Sequence, residues 1–214
     1  MKQAPSILAC ALAFAAASAS AQDSAKIAQG GVGNSAMIEQ VSTAGNNTAS
    51  VNQGDNWYGG GGTGNSAQLM QYGVSNSQIE VNQSGNNNQH SVYQNDGYNL
   101  QARVNVNGAY YGGGFGEGNS VMIQQSGSDA MASVEQGGSS YSRAEIWQQG
   151  WGGQSMADVV QSGYGNLASV QQMGGGQASV YQSGSNQNAS IMQRSDNYGY
   201  GYGYGNSATI RQGF

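Results

Sequence analysis

The sequence carries very little charge and few residues of catalytic chemistry. Only 8% of its 214 residues are charged, against roughly 25% in an ordinary globular domain, and it has one His, one Cys and one Pro. A lone His without a second His or a Cys partner makes neither a metal site nor a nucleophile pair. Six Lys and Arg residues within a net charge of -5 leave no basic stripe to neutralise phosphates. We therefore expect no enzyme, catalytic residue, cofactor or metal ion, and no nucleic acid or small-molecule substrate.

Small and amide side chains take the place of charge. The chain has 36 Gly, 28 Ser, 26 Gln and 21 Asn, which together make up just over half of it. Such a composition is typical of disordered segments, and the large aliphatic residues are too few for a conventional core. A repeat along the chain decides against disorder.

Residues 1–21 have the pattern of a signal peptide. Lys2 is followed by an apolar run over residues 7–17, which is too short to span a bilayer, and by Ala19-Ser20-Ala21, a cleavage sequence. The pattern predicts two segments, a signal peptide over residues 1–21 and a repeat domain over residues 22–214. Cys10 lies in the first segment, so the mature chain is predicted to contain no disulfide.

The repeat is a five-residue unit: a small residue, any residue, Val, Ile or Leu, any residue, and Gln. Examples are AKIAQ (25–29), ASVEQ (132–136) and ATIRQ (208–212), and fifteen copies occur. Fourteen of the fifteen end in Gln, with Val106 the exception, and twelve begin with Ala, replaced elsewhere by Ile79, His90 and Val121. The alternation has the period of a β-strand, and Gly and Asn residues between the units indicate turns. The fold class predicted is all-β, a β-solenoid of about fifteen short strands in seven to eight rungs.

The unit predicts which side chains point inward. The predicted core is formed by the central residues of the units: Ile27, Ile38, Val51, Leu69, Val81, Val92, Val104, Ile123, Val134, Ile146, Val159, Val170, Val180, Ile191 and Ile210. Inward amides are tolerable where the same amide lies above and below, because each one both donates and accepts along the stack. The predicted amide ladder comprises Gln29, Asn34, Gln40, Gln53, Gln71, Gln83, Gln94, Gln125, Gln136, Gln148, Gln161, Asn166, Gln172, Gln182, Gln193 and Gln212.

The residues outside this ladder have two kinds of interpretation. The five acidic residues at outward positions within units could form a catalytic pair or a calcium site, and we interpret them instead as solvated charges that oppose premature stacking: Glu39, Glu80, Glu135, Glu145 and Asp158. His90 is interpreted as a variant of the small-residue position. The aromatic residues of three Tyr- and Gly-rich insertions could adhere to surfaces or only decorate loops: Trp57, Tyr58, Tyr110, Tyr111, Tyr198 and Tyr200.

The pattern Q-x-G-x-x-N-x-A-x-(V/I)-x-Q over residues 29–40 and 161–172 resembles the curlin repeat, and the resemblance covers about residues 24–213. Curlins are subunits of curli, the extracellular functional amyloid of bacterial biofilms. The resemblance implies a secreted subunit of a fimbrium-like fibre at the cell surface, with roles in cell adhesion and biofilm matrix. It also implies three partners: further copies of the chain, a second curlin subunit and an outer-membrane secretion pore.

Two departures from the curlin pattern leave alternatives open. The repeats begin directly after the predicted leader, without the Gly- and Asn-rich segment that addresses the familiar major subunit to its pore. That arrangement, and the phrase NSAQLMQYG (65–73), are closer to the minor subunit that nucleates fibres. The alternatives are therefore such a nucleator, or a monomeric β-solenoid that binds polysaccharide or ice, although ice-binding solenoids favour Thr ladders and only four Thr occur.

Overall fold

Every regular element among the described residues is a β-strand. The structure is a computed structural model that describes the backbone of residues 12–15 and the residues 22–41, 45–54, 62–107, 116–150, 153–194 and 206–213. The strands are β1 (Leu12–Ala15), β2 (Ser24–Gln29), β3 (Ser35–Val41), β4 (Thr48–Gln53), β5 (Ser66–Ser75), β6 (Gln78–Gln83), β7 (Gln89–Tyr98), β8 (Gln101–Asn107), β9 (Ser120–Ser128), β10 (Ala130–Ser140), β11 (Arg143–Gly150), β12 (Ser155–Tyr164), β13 (Leu167–Met173), β14 (Gly176–Ser185), β15 (Asn188–Arg194) and β16 (Asn206–Gln212).

The strands alternate between two parallel sheets. Sheet A has the order β1-β3-β5-β7-β9-β11-β13-β15, and sheet B has the order β2-β4-β6-β8-β10-β12-β14-β16. Each strand therefore pairs with the strand two places along the chain, and two successive strands make one rung. The predicted all-β solenoid is confirmed.

The repeat unit sets the register between rungs. Ala144, Ile146 and Gln148 of β11 lie directly beside Ala168, Val170 and Gln172 of β13, and the same alignment holds along both sheets. A slip of one residue would turn every inward side chain outward, because side chains alternate between the two faces of a strand. The matching units therefore leave each pair of strands one favourable register.

The core is a single column between the two sheets. Of the fifteen central residues, all except Ile27 and Ile210 are buried with at most 5% exposure. Ile27 lies in β2 and Ile210 in β16, and both pack against the column while staying partly exposed. The central residues of the first and last strands of sheet B are therefore partly exposed at the two ends of the stack.

The turns depend on residues that tolerate a positive φ. In the corner that leads from sheet B to sheet A, the residue three places before each small residue has a φ between 54° and 69° at the successive positions Gly33, Gly64, Asn87, Gly118, Tyr141, Gly165 and Asn186. Gly and Asn adopt this left-handed conformation most readily, which explains their spacing between the units. Tyr141 also adopts this conformation, although Tyr does so less readily than Gly or Asn. Its ring centroid lies 5.5 Å from that of Tyr164 in the next rung.

The segment predicted to be a leader contributes a strand to the structure. Strand β1 lies parallel to β3, with Ala13 beside Ile38 and Ala15 beside Gln40. The sequence pattern predicts that residues 1–21 lie outside the fold, whereas the structure adds residues 12–15 to sheet A. The physical reason is that β3 presents a row of unpaired backbone groups, to which any extended segment of the chain can bond. Cleavage after Ala21 stays a prediction, and Cys10 and Ala19–Ala21 lie outside the described residues.

Gly127 and Gly137 offer a matched test of how tightly the corners stack. Gly127 has a φ of 97°, and a methyl group there would overlap the carbonyl oxygen of Gly150 in the next rung, whereas a methyl group at Gly137 meets nothing within 4 Å. We expect Gly127→Ala to lower the free energy of unfolding by about 2 kcal/mol or more. Gly137→Ala should change it by less than about 0.5 kcal/mol. Urea denaturation followed by circular dichroism measures both, and equal effects would contradict the stacked-corner interpretation.

Candidate functional site: amide ladders and open strand edges

An unbroken ladder of seven glutamines runs through sheet A. Each Nε2 donates to the Oε1 of the glutamine in the next rung, over 2.8–2.9 Å, through Gln40, Gln71, Gln94, Gln125, Gln148, Gln172 and Gln193. All seven side chains are at most 9% exposed. Because every amide donates in the same direction, the ladder is polar from the amino-terminal to the carboxyl-terminal end of the stack.

The second amide proton of these side chains joins the two sheets. Gln94 Nε2 also donates to the carbonyl oxygen of Gln78 over 3.1 Å, and Gln125 Nε2 to that of Gln101 over 2.9 Å. The acceptor is in each case a residue at the start of a sheet B strand. Gln161 and Gln182 of sheet B make the reciprocal bonds to Arg143 and Leu167 at the start of sheet A strands. One residue type therefore links rungs along the axis and sheets across it.

The ladder of sheet B is interrupted once. Gln29, Gln53 and Gln83 form one run, and Gln136, Gln161, Gln182 and Gln212 form another, with Nε2 to Oε1 distances of 2.6–2.9 Å. Val106 lies between the runs, beside Gln83 on one side and Gln136 on the other. Among the described residues, the buried Oε1 of Gln136 has no hydrogen-bond partner. The one unit without a terminal Gln therefore leaves an unsatisfied acceptor in the core.

A second polar ladder follows the corner between sheet B and sheet A. The side-chain oxygen of Asn34 accepts the backbone N–H of Asn65 over 2.9 Å, and that of Asn166 accepts the N–H of Gln187 over 3.0 Å. The rungs between them are Asn65, Asn88, Asn119 and Ser142, which pass on the same bond. The two asparagines predicted from the sequence thus belong to a ladder of seven positions.

Sequence reasoning missed Asn65, Asn88 and Asn119, which are at most 1% exposed. Asn88 follows Gln83 by five residues, the offset that identified Asn34 and Asn166. Asn65 and Asn119 follow insertions, which destroy that offset. All five lie two residues before the small residue that opens the next unit, so counting backward from the unit finds them.

The two ends of the stack present complementary halves of the same bonds. At the carboxyl-terminal end, Gln193 and Gln212 donate to the carbonyl oxygens of Gln177 and Asn188 and to no described side chain beyond them. At the amino-terminal end, no described group donates to the Oε1 of Gln29 or Gln40. One end therefore offers amide donors, and the other offers amide acceptors.

The outward faces carry few charges, and these are half-buried or exposed. The acidic residues predicted to point outward do so, and the described residues pair some of them: Arg103 lies 3.9 Å from Glu80, Arg143 contacts Glu145, and the Tyr181 hydroxyl donates to Asp158 over 3.3 Å. No group of three His, Cys, Asp or Glu residues that could hold a metal ion occurs in the described part of the chain. The aromatic residues Trp57, Tyr58, Tyr110, Tyr111, Tyr198 and Tyr200 lie outside the described residues.

His90 occupies the small-residue position of β7, between Ala67 of β5 and Val121 of β9. It is 3% exposed, and neither ring nitrogen has a hydrogen-bond partner among the described residues. Burial lowers the pKa of His90 from 6.5 to about 3, because the apolar column disfavours the charged ring, and an interaction with the backbone of Gln89 offsets only part of this effect. His90 is therefore neutral in the folded chain at neutral pH.

The described segments contain no helix that is long and apolar enough to span a membrane. Comparison of the chain with protein-family models, with curated proteins and with solved structures finds no match.

Val106→Gln should repair the ladder of sheet B. The new amide would accept from Gln83 and donate to the orphaned oxygen of Gln136, and relieving a buried unsatisfied acceptor is worth about 1–3 kcal/mol. We expect the free energy of unfolding to rise by about 1 kcal/mol after the loss of the buried valine. Val104→Gln, two residues earlier on the same strand, places an amide in the apolar column and should destabilise the chain. Urea denaturation distinguishes them, and a destabilised Val106→Gln variant would contradict the ladder argument.

His90 should make the fold sensitive to acid. Between pH 6.5 and about 3 the unfolded chain binds a proton on His90 that the folded chain does not, so stability falls as the pH falls through this range. We expect a loss of about 2 kcal/mol between pH 7 and pH 5. His90→Ala, which matches most other units, should remove this loss. Ile79→Ala, at the same position of another unit, should retain it. An unchanged pH slope in His90→Ala, measured by urea denaturation, would refute the assignment.

Proposed function

We propose that the protein is a secreted structural subunit that self-assembles into extracellular, curli-like amyloid fibres serving cell adhesion and biofilm matrix. The observation that carries the proposal is the complementarity of the two ends of the stack. In a chain without residues 1–21, the strand edges and the amide ladders end there with unpaired donors or acceptors, and the apolar column ends in the partly exposed Ile27 and Ile210. The curlin-like repeat supports the extracellular setting, with a second curlin subunit and an outer-membrane pore as further partners.

The open ends favour addition of identical chains. An unpaired parallel strand edge is a template for another strand, and proteins that stay monomeric cover or charge such edges. In a chain without residues 1–21, the end strands are β15 and β16 at one end and β2 and β3 at the other, and the central residues Ile27 and Ile210 are partly exposed. Contact between two different surfaces of identical copies produces a filament where the rotation between copies does not close a ring, and stacking along the solenoid axis does not close one.

Amide polarity gives the contact a direction. Donors at the carboxyl-terminal end meet acceptors at the amino-terminal end, so each added copy extends both the glutamine ladders and the sheets. Two like ends brought together would face donors with donors or acceptors with acceptors. Head-to-tail growth is therefore the arrangement that satisfies these buried amides.

Growth of fibres by the mature chain tests the proposal. Residues 22–214 should form thioflavin T-positive, detergent-resistant fibres after a lag, and preformed fibres should abolish the lag. Ile210→Lys should slow seeded growth at least tenfold, because its charge would be buried under the next copy. Ser207→Lys, on the outward face of the same strand, is the matched control and should grow normally.

The other outcomes choose between the alternatives. Fibres that form without a lag and accelerate a separate curlin subunit would favour the nucleator. A chain that stays monomeric, with a strand-rich circular dichroism spectrum, would refute the fibre proposal and favour a solenoid that binds polysaccharide or ice.

A further inference from the structure

The number of strands restricts how two copies can stack. After the predicted leader the described strands are fifteen, seven in sheet A and eight in sheet B, and both β2 and β16 belong to sheet B. Stacking without rotation pairs β16 with β2 of the next copy and leaves one strand position in sheet A empty. The backbone groups of β15, and of β3 in the next copy, would then face a gap, which is costly.

We propose that successive copies stack with a half-turn about the solenoid axis, so that sheet A of one copy continues as sheet B of the next. This inference rests on the proposed fibre function. Strand β15 then pairs with β2 of the next copy and β16 with its β3, and no strand position stays empty. At the seam, the junction between two copies, the backbone follows the path of an ordinary rung. The gap between the end of one chain and the start of the next takes the place of one turn.

The inward side chains permit the exchange of sheets. The four strands that meet are AKIAQ (25–29) in β2, AMIEQ (36–40) in β3, ASIMQ (189–193) in β15 and ATIRQ (208–212) in β16. All four read Ala-x-Ile-x-Gln, so either sheet can continue the other without changing the core. Gln193 and Gln212 then donate to Gln29 and Gln40 of the next copy, which completes both ladders.

The corner before β16, which leads from sheet A to sheet B, has the same side-chain hydrogen bond as the corner that leads from sheet B to sheet A. Asn206 Nδ2 donates to the carbonyl oxygen of Arg194, the residue after a ladder glutamine, as Asn166 does to Ser162. The side-chain oxygen of Asn206 is therefore positioned to accept a hydrogen bond from the backbone N–H of Asn34 in a rotated copy.

Charge favours the rotated arrangement. With the half-turn, Arg211 of β16 lies beside Glu39 of the next copy, because each precedes the terminal Gln of its unit. Without rotation Arg211 lies beside Ala28. Of the two arrangements, only the half-turn places these two residues side by side, and opposite charges on neighbouring strands attract.

The position of β1 shows that the edge of β3 accepts a parallel strand. Ala13 lies beside Ile38, where the proposal places Ile210 of the preceding copy. Strand β1 and the preceding copy's β16 therefore compete for one position, and a chain that keeps residues 1–21 should not accept a copy there.

Disulfide cross-linking in fibres of residues 22–214 tests the half-turn. The predicted mature chain has no Cys, and neighbouring in-register residues about 4.8 Å apart are within disulfide range. Lys26→Cys with Ser190→Cys brings two thiols together across a half-turn seam. Lys26→Cys with Thr209→Cys does so only across an unrotated seam. All three native residues are exposed on the outward faces. Fibres grown under reducing conditions are oxidised, dissolved in formic acid and run on a non-reducing gel.

We expect covalent multimers from the Ser190 pair and monomers from the Thr209 pair. Multimers from the Thr209 pair, from both pairs, or from neither pair in fibres that form normally would overturn the half-turn and leave the fibre proposal standing. Failure of both substituted chains and of the unsubstituted protein to form fibres would overturn the half-turn and the fibre proposal together.

Cryo-electron microscopy of unsubstituted fibres should give a half-turn, plus the twist of the stack, for each rise of about 36 Å, since each copy supplies seven and a half rungs. A rotation near zero with a rise of eight rungs would refute the proposal.

Discussion

The inward glutamine amide is the interaction on which the rest of the structure depends. A buried amide costs free energy unless its donors and acceptor are all bonded. In this chain the amide above, the amide below and a backbone carbonyl across the core satisfy it, as Gln94 and Gln125 illustrate. The bonds require identical residues at identical heights, so they select the parallel in-register stack. They also allow a chain with 8% charged residues and few large aliphatics to form a defined core.

The same interaction makes the ends reactive. A ladder of polar bonds has no natural last member, because its final amide always has a free donor or acceptor. Gln193 and Gln212 keep donors at one end, and Gln29 and Gln40 keep acceptors at the other. A conventional core closes on itself, whereas this column exposes Ile27 and Ile210 where it stops. Stability within the chain and the capacity to add further copies therefore have one physical origin.

Departures from the repeat show where the chain tolerates imperfection. Val106 leaves Gln136 with an unsatisfied oxygen, and His90 places an unbonded imidazole in the apolar column. Each defect is flanked by regular rungs that hold the register. In the corners, Ser142 replaces Asn and still passes on the hydrogen bond, because the ladder needs only a short side-chain oxygen at that position.

The sequence by itself determined the strand class, the inward residues and the rung length, because a period of two with identical inward positions permits one face and one register. Asn34 and Asn166 were predicted for the same reason. Only the tertiary structure decided which strands share a sheet, that each glutamine also bonds across to the opposite sheet, and that β1 lies beside β3. Asn65 and Asn119 were missed because insertions alter spacing along the chain without altering position in the stack. Those features depend on contacts between residues some 15 to 30 positions apart, and a local pattern does not contain them.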